Sequence, residues 1–150
     1  MSMKRIFKYW SPVIFWMGFI FWMSTGTFSS DNTSAVIEPL LLLLMPWLSS
    51  QRLDVIHEII RKCAHLTEYF VLGLLLFRAF RSGSSPSRML RWTLSAGIVV
   101  LLYAASDEFH QSFVGSRTPA LHDVVIDVAG GVLAQGAAIL YFRLKSSSRI

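Results

Sequence analysis

Residues 103–131, YAASDEFHQSFVGSRTPALHDVVIDVAGG, decide how this chain folds. They carry Asp107, Glu108, His110, Gln111, Arg117, His122, Asp123 and Asp127 within 21 residues, between two runs apolar enough to lie in a bilayer. A charged side chain at mid-bilayer costs roughly 2.5 to 3.5 kcal/mol on insertion scales, so such groups pair with one another or meet a polar ligand. The expectation is both, at the edge of a membrane.

The rest of the composition agrees. Hydrophobic residues make up 53% of the chain and charged residues 15%, against about 25% charged in an ordinary soluble domain. The mean hydropathy of +0.51 points the same way. At 150 residues the chain is long enough for one domain. The net charge of +5 does not indicate a nucleic-acid partner, because the basic residues sit at the ends of apolar runs rather than in one patch or stripe. With a single cysteine, Cys63, no intramolecular disulfide exists; on an apolar helix it reads as a packed, inert thiol.

Working outward, the expected fold is all-α, a polytopic membrane helix bundle. Spans are expected over residues 6–28, 55–80, 90–111 and 119–144, each near the 20 residues a helix needs to cross. Lys4, Arg5 and Lys8 lead into the apolar run of the first, residues 10–23, which reads as a retained anchor rather than a signal peptide with Ser24 and Gly26 near its cut. Trp10, Trp16 and Trp22 suit an interface or helix packing. Residues 35–48 form a further apolar run with Glu38, Pro39 and Pro46, too short to cross and better suited to an interfacial or re-entrant segment. Charge counting supports this. If that run does not cross, ten Lys and Arg fall on the side of both termini and four on the other; if it does, the tally is seven against seven, which the positive-inside bias disfavours. Both termini are therefore expected in the cytoplasm. Residues 82–88 (SGSSPSR) read as a short loop on that side, and Thr118 with Pro119 as the N-cap and first residue of the last helix.

Under this topology all nine acidic residues and all four histidines fall on the outer side or in the outer half of a helix. His57, Arg61, His65 and Glu68 follow spacings of four, four and three, one helical stripe. Tyr103, Asp107, His110 and Gln111 share a face of the next span, and Asp123, Asp127, Gly130, Gly131 and Ala134 a face of the last. Small residues, including Gly97, Gly136 and Ala138, are expected to permit close helix approach. Three chemistries suit converging stripes. A phosphate group would meet Arg61, Lys62 or Arg117, aided by the start of the last helix. Asp107, His110, Asp123 and Asp127 offer metal donors, but no spacing matches a dedicated metal motif and no metal is expected. His65 or His110 beside a carboxylate suits acid/base work. No nucleophile motif is present. The plainer alternative is that these groups only hold helices together, at about 0.6 kcal/mol per polar contact.

The blocks RKCAHLTEYFVLGLLL (residues 61–76) and residues 103–131 resemble the VanZ-like family of small polytopic membrane proteins, with its pattern R-K-x-A-H-x-x-E-Y-x-x-L-G, then D-E-x-H-Q-x-F, G-R and D-x-x-x-D-x-x-G. The matching positions are Arg61, Lys62, His65, Glu68 and Tyr69; Asp107, Glu108, His110, Gln111 and Phe113; and Arg117, Asp123, Asp127 and Gly130. Ser116 departs from the pattern, separating Gly115 from Arg117. A likeness of Ser116, Arg117, His122 and Asp127 to the last motif of type-2 phosphatidic acid phosphatases fails on spacing, and the class's other motifs are absent.

The resemblance implies a bacterial cytoplasmic-membrane protein linked to glycopeptide (teicoplanin) resistance. The expected function is recognition, at an outer-leaflet polar site, of an anionic lipid-linked cell-envelope component. Arg61, Lys62, Glu68, Tyr69, Gln111, Arg117, Asp123 and Asp127 are the expected ligand contacts. His65, His110, Asp107 and Glu108 are the catalytic candidates if the alternative holds, an enzyme that hydrolyses or transfers a lipid or phosphate headgroup. The third reading is a packing subunit without a ligand. No cofactor is named by the sequence.

Overall fold

In lipid, a helix satisfies its own backbone hydrogen bonds, so each long apolar run in this chain folds as one. The structure, a computed structural model, describes residues 3–82, 88–115 and 120–147. Helix α1 covers Met3–Met23 and a 3-10 turn covers Gly26–Phe28; α2 is Ser30–Leu44, α3 Ser50–Arg81, α4 Met89–Gln111 and α5 Leu121–Ser147. No strand occurs among these residues. Four of the helices, α1, α3, α4 and α5, are long and apolar enough to cross a membrane; α2, at 15 residues, is not among them. The all-α membrane bundle read from the sequence is the fold observed.

Side-chain pairs fix the directions. Trp10 meets Phe80 edge-on at 5.2 Å and Trp16 Nε1 donates to the Glu68 carbonyl at 2.9 Å, so α1 and α3 run antiparallel. Tyr103 donates to the Met17 carbonyl at 2.5 Å and Gln111 Nε2 to Ser24 Oγ at 2.9 Å, so α1 and α4 run parallel. His65 meets Asp127, and Phe77 stacks on Phe142 at 5.9 Å, so α3 and α5 are parallel too. The chain therefore crosses four times, and α2 lies between the end of α1 and the start of α3, which share one end of the bundle.

The core lies where α3 meets the other long helices: Val13, Ile20, Tyr69, Leu72, Leu76, Ala79, Ala96, Val100 and Ala104 are buried together. Outward, Phe15, Leu43, Trp47, Leu102 and Val125 are more than half exposed, the pattern of a protein whose outer solvent is lipid.

Helix α2 is the short fifth helix expected from residues 35–48, with different bounds. It begins at Ser30, because Ser29 caps it, its hydroxyl accepting from the Asn32 N–H, and Asp31 lies in the first turn. It stops at Leu44, just ahead of Met45 and Pro46. Thr33 bonds His57 across to α3 at 3.0 Å. Two further expectations change. Cys63 is exposed rather than packed. Gly97 and Gly136 have nothing within 4 Å of where a Cβ would stand; the helices close instead on Gly73, Gly130 and Gly131.

Candidate functional site

The register of α3 against α5 follows from three glycines. A Cβ on Gly130 would run into the Leu66 carbonyl and the Phe70 amide, and one on Gly73 would come 2.8 Å from the Ala134 Cβ and 3.2 Å from the Gly131 Cα; Gly131 also faces α4, where a Cβ would come 2.6 Å from Val100. Close backbone approach there brings the two polar stripes into contact one to two turns away. His65 Nδ1 donates to Asp127 Oδ1 at 3.1 Å, with Asp127 fully buried. One turn further out, Lys62 is paired with Asp123 and with Glu58 Oε1 at 3.0 Å, and also donates to His122 Nε2 at 2.9 Å.

On the other side of α3, a cavity of about 180 Å³ opens between α1, α2, α3 and α4. Arg61, His65, Glu68 and Asp107 form its polar part, while Ile20, Met23, Phe28, Ile37 and Ile60 supply apolar walls. Arg61 Nη1 lies 3.4 Å from Glu58 Oε2, a long contact that leaves most of the guanidinium fork available. With Nδ1 of His65 committed to Asp127, Nε2 is left for a group in the cavity. Asp107 accepts from Gln111 Nε2 at 3.2 Å and from the Ser24 side chain, and Gln111 also holds Ser24 at the end of α1. Buried oxygens of Asp107 (Oδ1), Glu108 (Oε1), Asp127 (Oδ2) and Tyr69 (Oη) have no partner among the described residues. Such an open carboxylate oxygen accepts a hydrogen bond from a ligand or carries a proton itself.

Several site residues expected from the sequence converge and several do not. Arg61, His65, Glu68 and Asp107 share the cavity. Tyr69, Gln111 and Asp127 stand behind it, buried. Lys62 and Asp123 are spent on each other as a tie between α3 and α5. Glu108 fastens the start of α5, its Oε2 accepting from the Ala120 N–H at 2.7 Å. His110 lies over the Phe21 ring at 4.4 Å and does not line the cavity. Arg117, and Thr118 with Pro119, lie outside the described residues. Among the described residues no three His, Cys, Asp or Glu side chains are grouped so as to hold a metal ion.

Sequence reading missed Ser24, Thr33 and Gln135. Ser24 is 4% exposed and takes part in the Gln111 network, though at the polar end of the first span it looked like a cleavage-site residue. Thr33 lines the cavity and carries the bond to His57. Gln135 Nε2 donates to the Gly73 carbonyl at 3.0 Å within the seam; the one available signal was a lone amide on an otherwise apolar face.

No curated protein and no solved structure matches the chain. A protein-family model does: VanZ/LLP1, over residues 9–143. That match takes in α1 as well as both polar blocks, so this four-span bundle with its buried His–Asp pair belongs to the VanZ-like family.

Proposed function

We propose that this protein recognises an anionic lipid-linked component of the bacterial cell envelope, binding its headgroup in the cavity beside Arg61. The carrying observation is a cavity with one guanidinium and two carboxylate residues at its polar end and apolar walls reaching toward α2. At ~30 Å³ per water in the liquid, a space of about 180 Å³ takes the charged end of a headgroup rather than a whole lipid. Two carboxylates beside one guanidinium suit a headgroup that presents a single phosphate together with hydroxyl donors, as a lipid-linked sugar phosphate does. Arg61 would take the phosphate; Glu68 and Asp107 would accept from hydroxyls. Ile37 and Phe28 would lie against the first carbons of the lipid.

The reading includes an orientation. Nine of the basic residues, Lys4, Arg5, Lys8, Arg78, Arg81, Arg88, Arg91, Arg143 and Lys145, lie at the end opposite the cavity. The positive-inside bias sets that end in the cytoplasm, which puts both termini there and the cavity in the outer leaflet of the cytoplasmic membrane. A link to teicoplanin resistance is part of the same reading, through a cell-wall precursor as ligand.

The test is purified protein in nanodiscs titrated with a polyprenyl phosphate and with a polyprenyl-linked sugar phosphate. Saturable binding that favours the sugar-bearing lipid, and weakens roughly tenfold or more in Arg61→Ala, is expected. Equal affinity of Arg61→Ala and the unaltered protein would sink it.

One observation favours enzymatic hydrolysis or transfer as a second reading. The His65–Asp127 pair borders the cavity, and a carboxylate on Nδ1 fixes the tautomer that lets Nε2 act as a base. In the same experiment, headgroup release lost in His65→Ala but kept in His110→Ala would establish the enzyme. Binding without release would leave recognition, and neither would leave a packing subunit.

A further inference from the structure

The opposite end of the bundle holds a second and larger opening, about 700 Å³, between α1, α3 and α5. That is within the roughly 300–1,000 Å³ of small-ligand sites. Its floor is apolar, made by Phe70, Leu74, Phe77 and Ala138, and its mouth carries Arg5, Arg78 and Arg81. We propose that this groove binds one anionic diacyl phospholipid, with the phosphate at the arginines and an acyl chain along α3.

Length supports a lipid. Phe70 to Arg81 is one continuous stretch of helix about 16 Å long at ~1.5 Å per residue. This is close to half of the ~30 Å hydrocarbon thickness, the depth of one leaflet. A groove that starts at a charged end and runs one leaflet deep has the proportions of a lipid and not of a soluble anion.

Charge supports an anionic one. All nine acidic residues of the chain lie toward the other end, and none of the ion pairs among the described residues involves Arg5, Arg78 or Arg81. The guanidinium of Arg81 sits 3.7 Å over the Phe142 ring, and that of Arg78 sits 5.1 Å from the Tyr9 ring centre. Stacking occupies the face of a guanidinium and leaves its N–H edge free, the edge that meets phosphate bidentately. The two aromatic supports stand on different walls, Tyr9 on α1 and Phe142 on α5, so the arginines are held on both sides of the mouth. Basic pockets between transmembrane helices are a recognised form of anionic-lipid site. The groove is independent of the cavity beside Arg61, and the proposal stands or falls apart from the function assigned there.

The experiment uses the full chain, delipidated in a non-ionic detergent and titrated with phosphatidylglycerol or phosphatidylcholine under native mass spectrometry. One phosphatidylglycerol per chain should be retained with roughly tenfold or greater preference over phosphatidylcholine. The double variant Arg78→Gln/Arg81→Gln should lose that preference. Arg88→Gln/Arg91→Gln removes equal charge from the same end but outside the groove, and should keep it. Because losing both stacking contacts could loosen the helices, Ala137→Phe provides a variant that narrows the groove with every charge in place; it should weaken retention of phosphatidylglycerol. Equal retention of the two lipids, equal loss in the Arg88/Arg91 variant, unchanged retention in Ala137→Phe, or a second copy of the chain blocking the groove would each overturn the proposal.

Discussion

The parallel pair α3 and α5 is closed in two different ways along its length. Toward the polar end the helices are tied by side chains, Lys62 to Asp123 and His65 to Asp127. Toward the middle they meet backbone to backbone at Gly73, Gly130, Gly131 and Ala134. Lipid tails are as apolar as leucine, so burying apolar surface does not drive helices together in a membrane; close packing and polar contacts must. Each half uses one of these. The small-residue half admits nothing between the helices, whereas side chains as long as lysine and histidine hold a layer of polar atoms in the other half. That layer faces the cavity on its other side. The seam of glycines is thus what allows a charged layer to exist: it fixes the register in which Lys62 meets Asp123 and His65 meets Asp127.

The sharpest way to break this contrast is at the glycines. Gly130→Ala puts a methyl group against the backbone of α3, at Leu66 and Phe70, where no side chain can turn aside. It should destabilise by about 3 kcal/mol, the upper part of the usual overpacking range, read as a lower melting temperature in detergent. Survival of Gly130→Ala at the unaltered melting temperature would mean that the helices are not in backbone contact.

The charged half should respond less severely and in a way that can be reversed. Lys62→Met leaves the buried Asp123 without its main partner and should cost about 3 kcal/mol or somewhat less, because the Lys62 side chain is still 22% exposed. Adding Asp123→Leu should recover most of the loss, since a well-packed apolar pair replaces a buried ion pair at little net cost. A double variant as unstable as Lys62→Met would show that Asp123 is held by something other than this tie.

The split was only partly legible in the sequence. Apolar runs with basic ends disclosed four crossings, and the spacings of His65 against Glu68 and of Asp123 against Asp127 disclosed two stripes that do meet. What stayed hidden is which face of an almost uniformly apolar helix turns inward. Lipid-facing and core-facing residues are chemically alike here, so the periodic contrast that betrays a buried face in water is weak. Gly97 and Gly136 therefore looked as good as Gly131, and nothing singled out Gly73. The same ambiguity placed His110 with Asp107. A helix turns about 100° per residue, so Gln111 and His110 diverge to either side of Asp107; Gln111 joins it and His110 goes to Phe21. Ser24 and Thr33 were illegible for another reason, because their roles depend on α1 and α2 folding back over α3 and α4.

The smallest expected effect tests whether the contrast is local. Gly136 lies on the same helix as Gly130 and Gly131, one to two turns on, yet a Cβ there meets nothing within 4 Å. Alanine is the better helix former by roughly 0.5 to 1 kcal/mol in water. In a bilayer the separated helices are already formed, so most of that advantage is shared by the reference and native states and cancels. Gly136→Ala should accordingly shift stability by between zero and about 1 kcal/mol, in the stabilising direction. If instead it destabilises as Gly130→Ala does, close approach extends along the whole of α5, and the division of the seam into a charged half and a small-residue half gives way to a single continuous packing stripe. Melting temperatures of the two alanine variants, measured side by side in one detergent, separate those outcomes.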